Sequence, residues 1–380
     1  MGSGIARVAA AAGHDVIIAD AVAGATQRSQ ANLAKTMDRE VDKGRYSRDA
    51  ADEVMSRIKY HWEPIGDDLS PFRHCGLVIE AIVEDLETKR TLFRRLENVV
   101  TADAILATNT SSLSVASIAS ACEVSGRVVG IHFFNPAPLM PLVEVIPWLG
   151  GEMTIAPAAY ALMKQWNKTP VLATDTPGFI VNRIARPFYG ESLRLLDEGV
   201  ADIATIDWAM KTFGKFRMGP FELMDFIGND VNYAVTRSVF EAMFFDPRYK
   251  PSLTQKRLIE SGFFGKKTGR GYYDYRAGAV VPVPSQDEAL GRQMFDRVLA
   301  MLINEAVDAV FMGVASPEDV DLAMTKGVNY PKGLLAWANE IGLDTVLGRL
   351  QALYDEYGED RYRPSPLLRR MVRDKQRFFA

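Results

Sequence analysis

Cysteine is almost missing from this chain. Two cysteines, Cys75 and Cys122, among 380 residues cannot build a disulfide framework, and their separation fits neither a metal site nor a redox pair. Such sparing use suits a reducing cytoplasm. Long apolar runs are also missing, and nothing approaches the roughly 18 residues of a membrane span. An excess of one charge is missing too. Lys and Arg number 44 against 48 Asp and Glu, for a net charge of −4, so no global field points to nucleic acid or an acidic membrane. The first residues, Met1-Gly2-Ser3-Gly4-Ile5-Ala6, lack a basic stretch ahead of an apolar core and read as a helix start, not a signal peptide. What remains is an ordinary globular composition, 48% apolar and 24% charged, long enough for two or three domains.

The first half alternates short apolar runs with longer helical patterns. An Ala-rich helix over residues 2–12 ends at Gly13, and a strand follows from Asp15 to Ala19. A polar helix is predicted from Ala21 to Lys43 and another from Leu86 to Val100. Strands are predicted over Leu77–Ala81, Ile105–Thr108 and Val128–His132. This order implies a parallel, doubly wound α/β sheet with both faces covered. In such sheets ligands bind beyond the carboxyl ends of the strands. Asp20, Glu84, Asn109, Ser111 and His132 all fall at or just after predicted strand ends.

A dinucleotide site needs a strand, a Gly-rich turn, a helix N-terminus for the pyrophosphate and an acid about 20 residues on. The helix is present, and Asp20 stands at the right distance after Gly2. Gly2 fits only the last glycine of such a motif. On the residues alone Gly2-Ser3-Gly4 reads equally as a flexible end and Asp20 as a helix N-cap. His132 ends a strand and leads through Phe133-Phe134-Asn135-Pro136 to Leu142-Val143-Glu144-Val145. A carboxylate in an otherwise apolar strand wants a partner, and His132 is the nearest suitable one. The pair has the composition of a general base and its orienting acid. A surface histidine and an edge-strand glutamate fit the same pattern. The hydroxyls of Asn109-Thr110-Ser111-Ser112 could meet a ligand, or Ser112 or Ser114 could cap the next helix. Asn182, in the helix opened by Pro177-Gly178-Phe179, could bond a substrate oxygen or pack between helices.

The run HFFNPAPLMPLVEV, with NTSSL upstream and TPGFIVNR, MGPFELMDFIG and FGKKTGRGYY downstream, resembles the 3-hydroxyacyl-CoA dehydrogenases. The resemblance implies an NAD-dependent enzyme acting on an acyl-CoA. It implies His132 as general base, Glu144 as its orienting carboxylate, and Ser111 and Asn182 on the substrate's 3-oxygen. Asn135 falls within the same matching run and is grouped with the substrate contacts. Asp20 corresponds to the ribose ligand; Glu84 and Lys89 lie in the segment near the nicotinamide and its ribose, with Gly2 and Asn109 beside the cofactor. Lys43 corresponds to a basic position that meets coenzyme A phosphates, although a lysine near a helix C-terminus is favourable anyway. The family's first strand and first two glycines have no counterpart after Met1. The expectation is a start lying upstream, and weak NAD binding without that strand.

Shifting the chain by 114 residues aligns Arg183 with Arg297, Glu191 with Glu305, Asp207 with Asp321 and Gly219 with Gly333 without a gap. A constant offset argues for a duplicated helical unit. The second copy carries Asp296 in place of Asn182 and reads as structural. The predicted fold is a Rossmann-like sheet, its first strand missing, followed by two all-α domains like the C-terminal domain of 6-phosphogluconate dehydrogenase. The predicted boundaries are 1–173, 174–276, a linker at 277–291, and 292–380. A fused copy could cover the apolar face that a second subunit covers in shorter relatives, leaving homodimer and monomer both open. The two-copy layout resembles a bacterial branch linked to phenylacetate degradation, implying 3-hydroxyadipyl-CoA or 3-hydroxybutyryl-CoA as substrate. The alternatives are a non-catalytic acyl-CoA-binding relative and a dehydrogenase of free hydroxy acids.

Overall fold

The computed structural model describes residues 1–66 and 68–379. The chain divides into two compact units, Met1–Asp175 and Thr176–Ala380. The first unit runs α1 (Gly2–Ala11), β1 (Val16–Ile18), α2 (Ala25–Asp42), α3 (Arg48–Ser56), β2 (Ile58–Tyr60), β3 (Leu77–Glu80), α4 (Leu86–Glu97) and β4 (Ile105–Thr108). It continues with α5 (Val115–Ala119), β5 (Val128–Phe133), β6 (Leu142–Ile146), α6 (Ile155–Gln165) and β7 (Thr169–Leu172). Helix α1 stops where expected, since Gly13 takes φ +96°, a conformation open to glycine. Helix α2 begins at Ala25, later than predicted, because Gly24 at φ +72° holds the N-cap. Pattern alone carries no clear element between Lys43 and Leu77, yet α3 and β2 form there. Ser47 caps α3 by accepting from the Ala50 N–H at 3.2 Å.

The strands form two sheets. β1 pairs with β2, and a five-stranded sheet has the order β3-β4-β5-β6-β7. The β3–β4, β4–β5 and β6–β7 pairings are parallel. The expectation of a wholly parallel sheet needs correcting, because β6 runs antiparallel to β5. Only residues 134–141 separate the two, too few for the crossover that a parallel neighbour requires. β5 and β6 are buried along their whole length. Ile131, Phe133, Val143 and Val145 form one core with Ile5, Val8 and Ala9 of α1. Each such large side chain stabilises the fold by about 1.5–3 kcal/mol. Gly4 lets α1 approach the loop after β5, for a Cβ there would stand 3.2 Å from Cδ of Pro138.

The second unit is helical. It contains α7 (Val181–Ile184), α8 (Arg186–Asp197), α9 (Ile203–Gly214), α10 (Pro220–Ile227), α11 (Asn229–Ala242) and α12 (Leu253–Glu260). It continues with α13 (Glu288–Phe311), α14 (Pro317–Gly327), α15 (Leu334–Ile341), α16 (Leu343–Tyr357) and α17 (Pro366–Arg373). α13 starts inside the stretch expected to be linker, capped by Asp287, which accepts from Ala289 and Leu290 N–H groups at 3.0 Å. α10 and α15 begin 114 residues apart, as do α11 and α16. The same aspartate organises each: Asp207 accepts from the N–H groups of Phe221 and Glu222, at 2.9 and 3.0 Å. Asp321 does so from Leu335 and Ala336, at 2.8 and 2.9 Å. A Cβ at Gly219 or Gly333 would lie 2.3 Å from that carboxyl carbon, so both positions need glycine.

The two sets of helices meet through reciprocal pairs. Arg183 reaches Glu305 at 2.7 Å, and Arg297 reaches Glu191 at 2.6 Å. The Tyr249 hydroxyl donates to Glu305, and the Tyr362 hydroxyl donates to Glu191 at 2.8 Å. Residue i meeting j while the equivalent of j meets the equivalent of i is the pattern of a two-fold dimer interface, here within one chain.

Candidate active site

His132 and Glu144 stand directly opposite each other in the β5–β6 register. Opposed residues on neighbouring strands hold their Cβ atoms about 4.5–5.5 Å apart, which suits an imidazole–carboxylate bond. Nδ1 of His132 lies 2.7 Å from Oε2 of Glu144. The histidine is 5% exposed and the glutamate is fully buried. An ionised carboxylate only accepts, and opposite one a neutral imidazole would carry its proton on Nδ1 and its lone pair on Nε2. Such a ring is oriented to take a proton, and the carboxylate stabilises the imidazolium that results.

A second buried network lies at the ends of β3 and β4. Lys89, on the first turn of α4, is 1% exposed and bonds Glu80 at 2.6 Å and Glu84 at 3.2 Å. Glu80 also accepts from the Thr108 hydroxyl at 2.8 Å. Glu84 gathers the loop after β4, accepting from Thr110 Oγ1 at 2.6 Å and from the N–H groups of Ser111 and Ser112 at 2.9 and 3.1 Å. Ser111 Oγ adds a longer bond of 3.3 Å. Burial opposes charge on Glu84, yet Thr110, Lys89 and the Ser111 N–H hold its carboxyl below the usual carboxylate range. Glu84, Lys89 and Ser111 thus come together; Glu84 and Ser111 were read past strand ends, and Lys89 entered only through the family resemblance. Glu80 was not among the predicted site residues; its signal was a charge closing the apolar run Leu77-Val78-Ile79.

Asn109 ties three strand ends together. Its Oδ1 accepts from Phe133 N–H and its own N–H donates to Glu80 O, both at 2.8 Å. Asp20 lies two residues past β1 and does not cap α2. Its Oδ1 accepts from Val22 N–H at 2.8 Å, and Oδ2 has no partner among the described residues. Gly2 opens α1, where Met1 at the N-cap offers no side-chain oxygen. An uncapped helix start and a carboxylate oxygen left over beyond β1 fit the pyrophosphate and ribose of a dinucleotide. Ser114 does cap α5, accepting from Ser117 N–H at 3.2 Å. Lys43 is the exposed C-cap of α2, and Asn135 is exposed in the loop after β5. Asn182 is half-buried on α7 of the second unit. Lys168, also outside the prediction, holds the loop after His132 by donating to the carbonyls of Ala137 and Met140. Burial pushes its ammonium down to about 8. No sequence motif marks it.

Comparison with known proteins adds independent findings. The description "3-hydroxyacyl-CoA dehydrogenase, NAD binding domain" matches residues 1–176. The corresponding C-terminal domain matches residues 178–275 and 294–377. The chain is 37% identical to 3-hydroxyadipyl-CoA dehydrogenase of Escherichia coli, over 97% of this chain and 94% of that one. It is 38% identical to 3-hydroxybutyryl-CoA dehydrogenase of Bradyrhizobium diazoefficiens, over 74% and 94% respectively. The crystal structure of 3-hydroxybutyryl-CoA dehydrogenase from Escherichia coli superposes with a TM-score of 0.91 at 36% identity, covering 98% of this chain and 96% of that one. No helix among the described residues is long and apolar enough to cross a membrane.

Proposed function

The chain belongs to the 3-hydroxyacyl-CoA dehydrogenase family, and we propose that it oxidises a (3S)-3-hydroxyacyl-CoA to the 3-oxoacyl-CoA with His132 as general base. The observation that carries this reading is the buried bond between His132 and Glu144. Bound NAD supplies the hydride acceptor. Nε2 of His132 takes the hydroxyl proton of the substrate while Nδ1 stays bonded to Glu144, and the positive ring that results is matched by a buried carboxylate. Ser111 and Asn182 are assigned to the substrate's 3-oxygen. Asp20 and the start of α1 would hold the dinucleotide, with Gly2 and Asn109 beside it. The Glu80–Lys89–Glu84 network fixes the Ser111 loop beneath it. Lys43 is assigned to a coenzyme A phosphate, and Asn135 to the substrate side of the His132 loop. The acyl group is taken to be 3-hydroxyadipyl or 3-hydroxybutyryl, as in the relatives.

Replacing His132 by alanine should lower turnover by about 10²- to 10⁴-fold, with NADH affinity unchanged within about twofold by equilibrium titration. Near-normal turnover of acetoacetyl-CoA by His132→Ala would remove the assigned role.

Two finer readings of the fold go with this proposal. Among the described residues β1 and β3 each have one strand neighbour, and both pack on the core that α1 shares. A parallel strand belongs between them, where it would pair both edges and join the sheets. A second reading is an acyl-CoA-binding relative without turnover. Absence of NADH binding in the titration would favour it. The helical unit is read as two fused copies whose reciprocal ion pairs stand where a dimer contact would.

A further inference from the structure

Buried arginines need compensation. Moving a charge out of water costs several kcal/mol unless a partner and hydrogen bonds replace the solvent. In the second unit Arg183 has Glu305 and Asp308, and Arg361 has Glu191. Arg186 is buried to the same degree, at 6% exposure, yet no carboxylate partners it among the described residues. Its Nε donates to the Asn182 carbonyl at 2.7 Å. Its Nη1 donates to Thr236 Oγ1 at 3.0 Å, with the Asn232 carbonyl at 3.5 Å. The guanidinium lies 5.0 Å over the Tyr189 ring. Nη2 has no partner among the described residues. Burial pushes the guanidinium down from its ordinary value, with only the tyrosines Tyr189 and Tyr330 acting against it. Tyr330 in turn buries a hydroxyl with no hydrogen-bond partner. Donors therefore collect here without an acceptor of matching charge.

Position explains what the acceptor would be. Arg186 follows Asn182 by four residues in nearly continuous helical backbone, Ala185 between α7 and α8 having φ −75° and ψ −10°. Residues four apart share a helix face, with Cβ atoms about 5–6 Å apart. Asn182 is the residue assigned to the substrate's 3-oxygen. In a six-carbon dicarboxylic acyl group, three C–C bonds of about 1.5 Å separate carbon 3 from the terminal carboxyl carbon, roughly 4 Å in all. Nε of Arg186 lies 2.7 Å from the Asn182 carbonyl oxygen, so the guanidinium stands beside the residue assigned to the 3-oxygen.

We propose that Arg186, with the Tyr330 hydroxyl, binds the terminal carboxylate of a 3-hydroxydicarboxylyl-CoA, so that this enzyme selects an ω-carboxylated acyl chain. The proposal rests on the dehydrogenase reading and names the substrate class within it. A carboxylate supplies the missing counter-charge, and a guanidinium bonded to it is a charge-assisted pair. Bonds of this kind are worth about 1.5–3 kcal/mol, or roughly 10- to 100-fold in kcat/KM.

The test compares 3-hydroxyadipyl-CoA with 3-hydroxyhexanoyl-CoA, which has the same chain length and no terminal carboxylate. The full chain should prefer the diacid by about 10- to 100-fold in kcat/KM. Arg186→Leu should erase that preference by lowering the rate on the diacid, with the rate on the hexanoyl substrate changed by less than about threefold. Arg186→Lys should restore part of the preference. A wild-type ratio near one overturns the proposal, and so does an equal loss on both substrates in a variant that melts like the parent. Should Arg186→Leu not fold, the wild-type ratio and Tyr330→Phe decide. Failure of the wild type to turn over either substrate removes the dehydrogenase reading instead, and this proposal with it.

Discussion

The two segments of the helical unit that align at an offset of 114 residues share several contacts and differ where a ligand is assigned. Both retain the capping aspartate, Asp207 or Asp321, with its glycine opposite. Both retain the arginine and the glutamate that cross between copies. At the offset of 114 residues, however, Asn182 faces Asp296 and Arg186 faces Ala300. Asp296 is held by Arg349 at 2.8 Å, and Ala300 is fully buried in α13. At these positions the second segment therefore carries a half-buried ion pair and a core methyl where the first carries an amide and an arginine with no carboxylate partner among the described residues. Residues that hold the helices together recur, while those assigned to substrate occur once. The difference separates scaffold from site without reference to any other protein.

The largest effect expected from this comparison concerns the shared part. Glu191→Ala and Glu305→Ala should each leave a buried arginine short of its carboxylate and destabilise the unit by about 3–5 kcal/mol. Denaturant unfolding of both variants measures it. Comparable losses support the two-fold equivalence, and a large loss in only one would break it. Next comes the part that differs. Asn182→Ala should lower kcat/KM by roughly 10- to 100-fold, whereas Asp296→Ala should leave it within about twofold, since Asp296 bonds Arg349 and is assigned no substrate contact. Steady-state kinetics on one acyl-CoA substrate decides, and equal losses would end the assignment.

The third effect is a pH dependence. Burial pushes the Asp207 carboxyl up to about 7, against donors from Tyr273, Phe221 and Glu222. Burial also raises Asp321, its counterpart. A carboxyl raised above its unfolded value of 3.8 favours the folded state most when protonated. The stability it contributes is complete below about pH 4 and is lost as pH rises through 7. Unfolding between pH 4 and 7 should thus show a downward slope that Asp207→Asn flattens. An upward slope unchanged by that substitution would mean that the three donors outweigh burial.

How much was legible beforehand differs by residue. The His132–Glu144 pair was suggested because an acid in an apolar strand needs a partner, but nothing local specifies strand direction. The eight-residue connection made β6 antiparallel and brought the two side chains face to face. The Glu84–Ser111 contact was foreseeable only as a shared end of the sheet. Lys168 was illegible because its role depends on two carbonyls far away in sequence. Element starts moved at Gly24 and Asp287, where cap geometry overrode helical periodicity.

The sequence by itself determined the alternation of β1, α2, β3, α4, β4 and β5, the chemical identity of the candidate base and acid, and the 114-residue offset. Each rests on short-range periodicity or on motif spacing. Tertiary structure alone decided the antiparallel turn of β6, the reciprocal ion pairs Arg183–Glu305 and Arg297–Glu191, and the lack of a carboxylate beside Arg186 among the described residues. Those depend on which surfaces meet, and burial energy acts between segments that sequence order leaves far apart.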